Sequence, residues 1–353
     1  MPKAIYRLTH SVLPGGLYLG YRYFRTDRVF GMRQECPQNE GMELHMVSRY
    51  EIADPRQILP ADSLQQLNER SNLKGSLQLA SHLGVIGVSG YMWATYWQQW
   101  LVALPALVIY GFSLATMFAA AHECAHRTAF SSNWLNDTVG WFAGVLSFYN
   151  TTFYRRYHKW HHRYTQIPDK DPELEDLKPT TFLEYVWQVS GVPWWWGKLK
   201  NHWCVATGNM ADMPYVSESA YGELMRSMWL QLGIYAIAIA LSAIAHQPWF
   251  LLYWLLPLAV GQPLMRMILI AEHTDCSDDD NPLTNTRTTL TTWPIKLLMW
   301  NMPFHAEHHL YPSIPFHQLP AAHAQLAPNL ACVAPGYVQV NCSIINNLGQ
   351  ATS

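Results

Sequence analysis

Acidic and basic residues are missing from two long stretches of this 353-residue chain. None lies between Lys74 and Glu123, and none between Arg226 and Arg266. Each gap is long enough for two bilayer crossings at about 20 residues apiece. A basic stripe is also missing, and a net charge of -2 with a pI near 6.8 leaves no electrostatic footprint for nucleic acid. The six cysteines, Cys36, Cys124, Cys204, Cys276, Cys332 and Cys342, form no CxxC and no paired spacing. That argues against a disulfide framework and favours a reduced compartment. No compact apolar core followed by a small-residue cleavage site stands at the N-terminus, so no signal peptide is expected. The mean hydropathy of -0.06 is an average over apolar gaps and a polar, charged remainder.

The gaps divide into four expected membrane spans, at about 77–97, 100–121, 229–246 and 249–270. The first pair turns near Gln98-Gln99 and the second at His246-Gln247-Pro248. Trp93, Trp97, Trp100, Trp249 and Trp254 lie near these turns, as amphipathic rings do at headgroup level. Neither turn carries Lys or Arg. The basic residues fall before the first span, between the second and third, and from the end of the fourth onward. With two hairpins those regions share one side, which the positive-inside rule makes the cytoplasm. The fold class expected is therefore all-α integral membrane, two helical hairpins under a cytoplasmic helical cap. Residues 1–75 read as a cytosolic lead-in, 76–325 as the membrane domain and 326–353 as a C-terminal tail. Segments 139–153 and 182–196 are apolar with polar breaks and read as interfacial helices; a fifth span at 139–157 is the competing reading.

Histidine is what the chain has in abundance, with 16 residues. Eight of them form three clusters: His122 and His126 in HECAH, His158, His161 and His162 in HKWHH, and His305, His308 and His309 in HAEHH. These i, i+3 and i+4 spacings put imidazoles on one face of a helix. The expected topology brings all three clusters to the cytoplasmic face, together with the isolated His273 at the end of the fourth span. Neutral imidazole suits iron, zinc and copper. A single zinc takes three or four protein ligands, fewer than the eight or nine histidines present. They suit two six-coordinate ions with positions open for water or dioxygen.

HECAH also matches the HExxH pattern of zinc proteases, with Glu123 as general base. That reading leaves the second and third clusters without a role. Otherwise Glu123 is expected to hold a ring N–H and fix its tautomer. Asp169, Asp171, Asp275 and Glu307 are further candidates for that task, or else ordinary solvated carboxylates. His317 and His323 sit in a Pro-rich segment and are read as structural or surface residues. So are His10, His45, His82, His202 and His246.

On these residues the chain resembles the membrane fatty acid desaturase family, the histidine-box di-iron enzymes. HECAH is similar to the first box of acyl-lipid desaturases. Tyr157-His158-Lys159-Trp160-His161-His162, followed by Asp169-Lys170-Asp171-Pro172, is similar to the second, and 301–312 (NMPFHAEHHLYP) to the third. The resemblance covers about 75–325. It implies His122, His126, His158, His161, His162, His273, His305, His308 and His309 as ligands of two iron ions. It also implies an O2-dependent oxidoreductase that places a double bond in a fatty acyl chain or acyl lipid. Stearoyl-type members have a longer gap in the first box and an asparagine shortly before the isolated histidine. Here the gap is three residues and Leu269 stands four ahead of His273, so the resemblance is to the acyl-lipid branch and to bacterial relatives with non-standard substrates. The family also includes hydroxylases: removal of a second hydrogen gives a double bond, transfer of oxygen an alcohol. A zinc membrane hydrolase is the more distant alternative. No heme or cluster-ligand motif is visible, so electrons are expected from a separate donor such as ferredoxin or cytochrome b5.

Overall fold

The computed structural model describes residues 57–175 and 178–349. Most of the expected lead-in, with His10, Cys36 and His45, lies outside the described residues. The regular structure of the described part is helical apart from one two-residue parallel ladder.

A short α1 (Ala61–Leu67) leads to α2 (Asn72–Thr95), which Ser71 caps by accepting a hydrogen bond from the Lys74 N–H. A four-residue turn joins it to α3 (Trp100–His126). From Leu114 to Cys124 every residue of α3 is buried, which makes it the central helix of the bundle. Its sequence is apolar all round, as a helix surrounded by others requires. It ends on Arg127 in the left-handed conformation (φ 60°), directly after the first histidine box.

α8 (Tyr221–Ile244) and α9 (Leu256–His273) supply the second long pair. His246, at φ 52°, makes the turn, and a single π turn (Leu251–Leu255) opens α9. α3 and α9 cross backbone to backbone. A methyl group added at Gly111 would collide with the Pro257 carbonyl, and one at Gly261 with the Gly111 carbonyl.

Among the described residues, three helices are long and apolar enough to cross a membrane: Trp100–His126, Glu218–Ile244 and Leu251–His273. The expected first span is a helix of 24 residues, but Asn72, Ser76, Gln78, Ser81, His82 and Ser89 lower its apolarity. One of these polar groups is spoken for internally. His82 is fully buried, with Nε2 2.8 Å from the Ser113 carbonyl and Nδ1 accepting from Trp300 Nε1 at 3.1 Å. Outward, Leu73, Leu77, Val88 and Tyr91 of α2 are exposed, alongside Leu101, Leu104 and Val108 of α3 and Leu230, Ile237 and Ile244 of α8. An apolar belt of that extent suits contact with lipid.

The expected interfacial segments are each broken in two. α4 (Asn133–Ser147) stops at Phe148, which is left-handed at φ 61°, and Asn150 caps α5 (Thr151–Tyr164). α6 (Phe182–Val189) and α7 (Val192–Thr207) meet at Gly191, φ 78°. Phe182, Leu183, Trp187, Trp196 and Trp203 remain exposed on α6 and α7 next to charged neighbours, as in helices lying along a bilayer surface.

After α9 come β1 (Thr288–Thr289), α10 (Trp293–Leu298), α11 (His305–Leu310) and α12 (Leu319–Leu326). β1 then pairs in parallel with β2 (Val333–Ala334), Thr288 opposite Val333. The residues expected as a tail form α13 (Tyr337–Asn347), which packs on α9 and α6. Asn341 fixes it there, accepting from the Tyr185 hydroxyl at 2.7 Å and donating to the Met267 carbonyl at 3.0 Å.

Candidate metal centre

Three helix ends and one helix body carry the nine histidines. His122 and His126 close α3, His273 closes α9, and His158, His161 and His162 lie along the inner face of α5. The six-residue α11 presents His305, His308 and His309. Asn150 orients α5 twice over. Its carbonyl oxygen accepts from the Phe153 N–H at 3.1 Å, and its amide donates to Ser227 and Gln231 of α8.

The side chains gather into two groups. Nitrogens of His122, His126, His158, His162 and His308 lie within 4.8 Å of one another, as do those of His161, His273 and His309. His305 joins the second group, its Nε2 3.3 Å from that of His273 and 3.1 Å from that of His309. In the first group His162 Nε2 is 3.0 Å from His158 Nε2 and 3.1 Å from His308 Nε2. One imidazole nitrogen facing two others cannot satisfy both with a single N–H. Lone pairs converging on a common point account for the contacts better. A metal–imidazole bond of about 2.1 Å puts adjacent nitrogens of an octahedral shell about 3.0 Å apart.

The buried ring nitrogens of His122, His126 Nε2 and His161 Nε2 have no hydrogen-bond partner. Such atoms are costly to bury unless they bind something. Burial, followed by mutual repulsion, pushes His158, His162, His305, His308 and His309 well below the ordinary imidazole pKa, which keeps them neutral and free to donate lone pairs. The residues present therefore fit two metal ions.

The two groups differ in what stands behind them. In the second, Asp171 Oδ1 accepts from His161 Nδ1 at 2.8 Å, the Asn285 carbonyl lies 3.0 Å from His273 Nδ1, and Thr165 Oγ1 lies 3.3 Å from His309 Nδ1. Each contact sets a tautomer that leaves Nε2 for a metal. Burial would lower His161, but Glu173 and Asp171 hold it above the ordinary imidazole value. Burial likewise works against the Asp171 carboxylate. His161 and the backbone N–H groups of Glu173 and Gln166 prevail and hold it below the usual range. Two carboxylates also face this group: Glu173 Oε2 is 3.5 Å from His161 Nε2, and Glu272 Oε2 is 3.5 Å from His305 Nε2. In the first group, among the described residues, Nδ1 of His122, His158, His162 and His308 meets no acceptor. The first position thus has one carboxylate near it, Glu123 at 3.8 Å from His122 Nδ1, and the second has two, each at 3.5 Å.

Of the other residues singled out by sequence, Glu307 is fully buried and holds Thr288 Oγ1 and His323 Nδ1, so it fixes α11 rather than a ligand ring. His323 takes part in the site's support through that bond. Glu123 accepts from Thr128 Oγ1 at 2.8 Å and from the Phe316 N–H at 3.2 Å, with the His122 ring 3.8 Å away. Asp169 and Asp275 are exposed, and Asn347 donates to Asp275 at 3.0 Å. Sequence reasoning did not single out Glu173 or Glu272. Glu272 adjoins His273, the one available signal. His202 is buried away from both groups, stacked on Phe148 with ring centroids 4.4 Å apart. The first group opens outward through a cavity of about 310 Å³ lined by Arg70, Arg155 and Lys159 as well as His126, His158 and His162.

Long apolar helices capped by two buried groups of metal-ready imidazoles define a class: helical membrane proteins with a polyhistidine metal centre. The fatty acid desaturase family model matches residues 98–341, and the chain belongs to that family. It is similar to the sn-1 oleoyl-lipid 12-desaturases of a Picosynechococcus species (25% identity, over 70% of this chain and 63% of that protein) and a Synechocystis species (27%, over 70% and 74%). It is also similar to the dihydrorhizobitoxine desaturase of Bradyrhizobium elkanii, at 25% identity over 79% of this chain and 82% of that protein. The alignment to the first of these covers less than two thirds of that relative's length.

Proposed function

We infer that this protein is an O2-dependent di-iron desaturase that introduces a double bond into a fatty acyl chain or acyl lipid. The observation that carries the reading is the pair of histidine groups at the ends of apolar helices, in a chain of the desaturase family. His122, His126, His158, His162 and His308 hold one iron; His161, His273, His305 and His309 hold the other. When bound, the two irons supply the oxidising power to remove hydrogen from an unactivated C–H bond with dioxygen.

The chain's own residues do the rest. Asp171, Asn285 and Thr165 orient the rings of the second group. Phe118, with its centroid 4.4 Å from Tyr149 and 6.2 Å from His122, lines an aromatic approach from the bundle interior to the imidazoles. α2 serves as the fourth span, with Gln78, His82 and Ser89 turned to the bundle, and both hairpins return to a cytoplasmic face that carries the termini and the metal centre. Electrons come from a separate ferredoxin or cytochrome b5.

Two measurements test this. Metal analysis of detergent-purified protein should find iron in a two-to-one ratio to chain, and one zinc would refute the reading. Product mass spectrometry with donor and O2 should show loss of two hydrogens, whereas gain of one oxygen would move the assignment to a hydroxylase on the same scaffold.

A further inference from the structure

Arg266 breaks the pattern of the helix that carries it. Leu251–His273 is apolar enough to cross a membrane, and Arg266 stands inside it, two turns before His273. A charge within such a segment is expensive and marks a partner or a task. The side chain is only partly exposed. Its guanidinium carbon lies 5.4 Å over the ring of Trp194, which is 7% exposed, and its Nη2 is 3.5 Å from the Tyr149 hydroxyl. Its Nε is sealed from solvent without a partner.

A second cation sits beside it. Lys198 Nζ lies 3.6 Å from the centroid of the Tyr149 ring. Burial alone would raise the Tyr149 hydroxyl, but Lys198 and Arg266 hold it below the ordinary tyrosine value. Among the described residues no carboxylate lies within ion-pair distance of Arg266. Glu173 and Glu272 stand against His161 and His305 and act on Arg266 only at longer range. One turn before Arg266, Gln262 is 1% exposed, and neither its Oε1 nor its Nε2 has a partner.

We propose that Arg266, with Lys198 and the Tyr149 hydroxyl, binds the free carboxylate of the substrate inside the bundle, so that this enzyme acts on an apolar chain ending in an unesterified acid. The proposal rests on the desaturase reading above and narrows its substrate class. A guanidinium fork matches a carboxylate in two parallel hydrogen bonds, and Gln262 has a spare donor and acceptor one turn away. Phe118 and Tyr149 connect the cations to His122 through a continuous aromatic wall. Seven residues of α9 separate Arg266 from His273, an axial rise of roughly 10 Å. The reacting carbons therefore lie on the order of 10 Å along the chain from its acid end. Esterification to a glycerolipid removes the charge that Arg266 and Lys198 are placed to meet.

Calorimetric titration of the detergent-purified, iron-loaded full chain with decanoate, methyl decanoate and decanol tests this without turnover. Decanoate should bind at least about tenfold more tightly than the ester or the alcohol. Arg266→Gln should abolish the preference while the iron content stays that of the wild type. Equal affinity for the three probes overturns the proposal, as does a preference that survives Arg266→Gln. Should that variant fail to fold, Lys198→Gln carries the same test, and an unchanged preference overturns it. Iron stoichiometry and product analysis judge the desaturase reading separately, so the two can fail independently.

Discussion

Asp171 grips His161 through a single oxygen: Oδ1 lies 2.8 Å from Nδ1, while Oδ2 accepts the backbone N–H of Gln166 at 2.8 Å. The carboxylate is thus pinned to the α5 exit loop and the imidazole is pinned to the carboxylate. Asp171→Asn keeps the shape but removes the charge that makes His161 a strong donor. Loss of such a partner typically weakens metal binding by about 10–100-fold. In chelator competition, half of the iron should leave the variant at far lower chelator concentration than the wild type. Uniform loss of both irons, or none, would contradict the division of ligands.

That division makes a second prediction. His308 belongs to the first group and His273 to the group faced by Glu173 and Glu272. His308→Ala and His273→Ala should each lose turnover completely and retain the iron of the other group. The two half-loaded proteins should differ spectroscopically, because only the position emptied in His273→Ala has Glu173 and Glu272 beside it. Identical Mössbauer parameters for the two would show that the groups share one site.

Much of this site was legible because helical spacing is local. The i, i+3 and i+4 histidines lie on the ends and inner faces of α3, α5 and α11, and His273 stands where the fourth apolar run stops. What escaped depends on tertiary approach. Glu173 and Glu272 reach His161 and His305 across loops, which no spacing announces. Asp169 and Asp171 read alike in sequence. A left-handed turn at Asp169, φ 61°, leaves the first exposed and turns the second inward. The break at Phe148 was equally silent, since a left-handed aromatic residue carries none of the usual signals of glycine or proline. α2 was readable as a long helix, but its polar positions blur the contrast with the surrounding sequence.

Glu307 supports the third box from beneath. Fully buried, it accepts from Thr288 on β1 and from His323 on α12. Glu307→Ala leaves both donors unpaired, at a cost of about 1–3 kcal/mol for each buried group. His323→Ala strips only one bond from a carboxylate that keeps Thr288. Thermal unfolding in detergent should therefore rank wild type above His323→Ala, and His323→Ala above Glu307→Ala. The reverse order would mean that His323 is held by something other than this carboxylate.

Gly111 and Gly261 set how closely the two ligand-bearing helices approach. A Cβ at either would meet backbone, Pro257 and Gly111 carbonyl oxygens, and backbone cannot rotate aside as a side chain can. Gly111→Ala and Gly261→Ala must therefore separate α3 from α9, at roughly 1–3 kcal/mol of overpacking. The same displacement parts His122 and His126 from His273, so iron affinity should fall along with stability. Gly84→Ala and Gly233→Ala are the controls. Nothing lies within 4 Å of a Cβ at those positions, so alanine there should be neutral or should stabilise the helix by about 0.5–1 kcal/mol. Unfolding midpoints and iron retention measured on the four variants separate the effects. If all four behave alike, the close crossing of α3 and α9 does not position the metal centre.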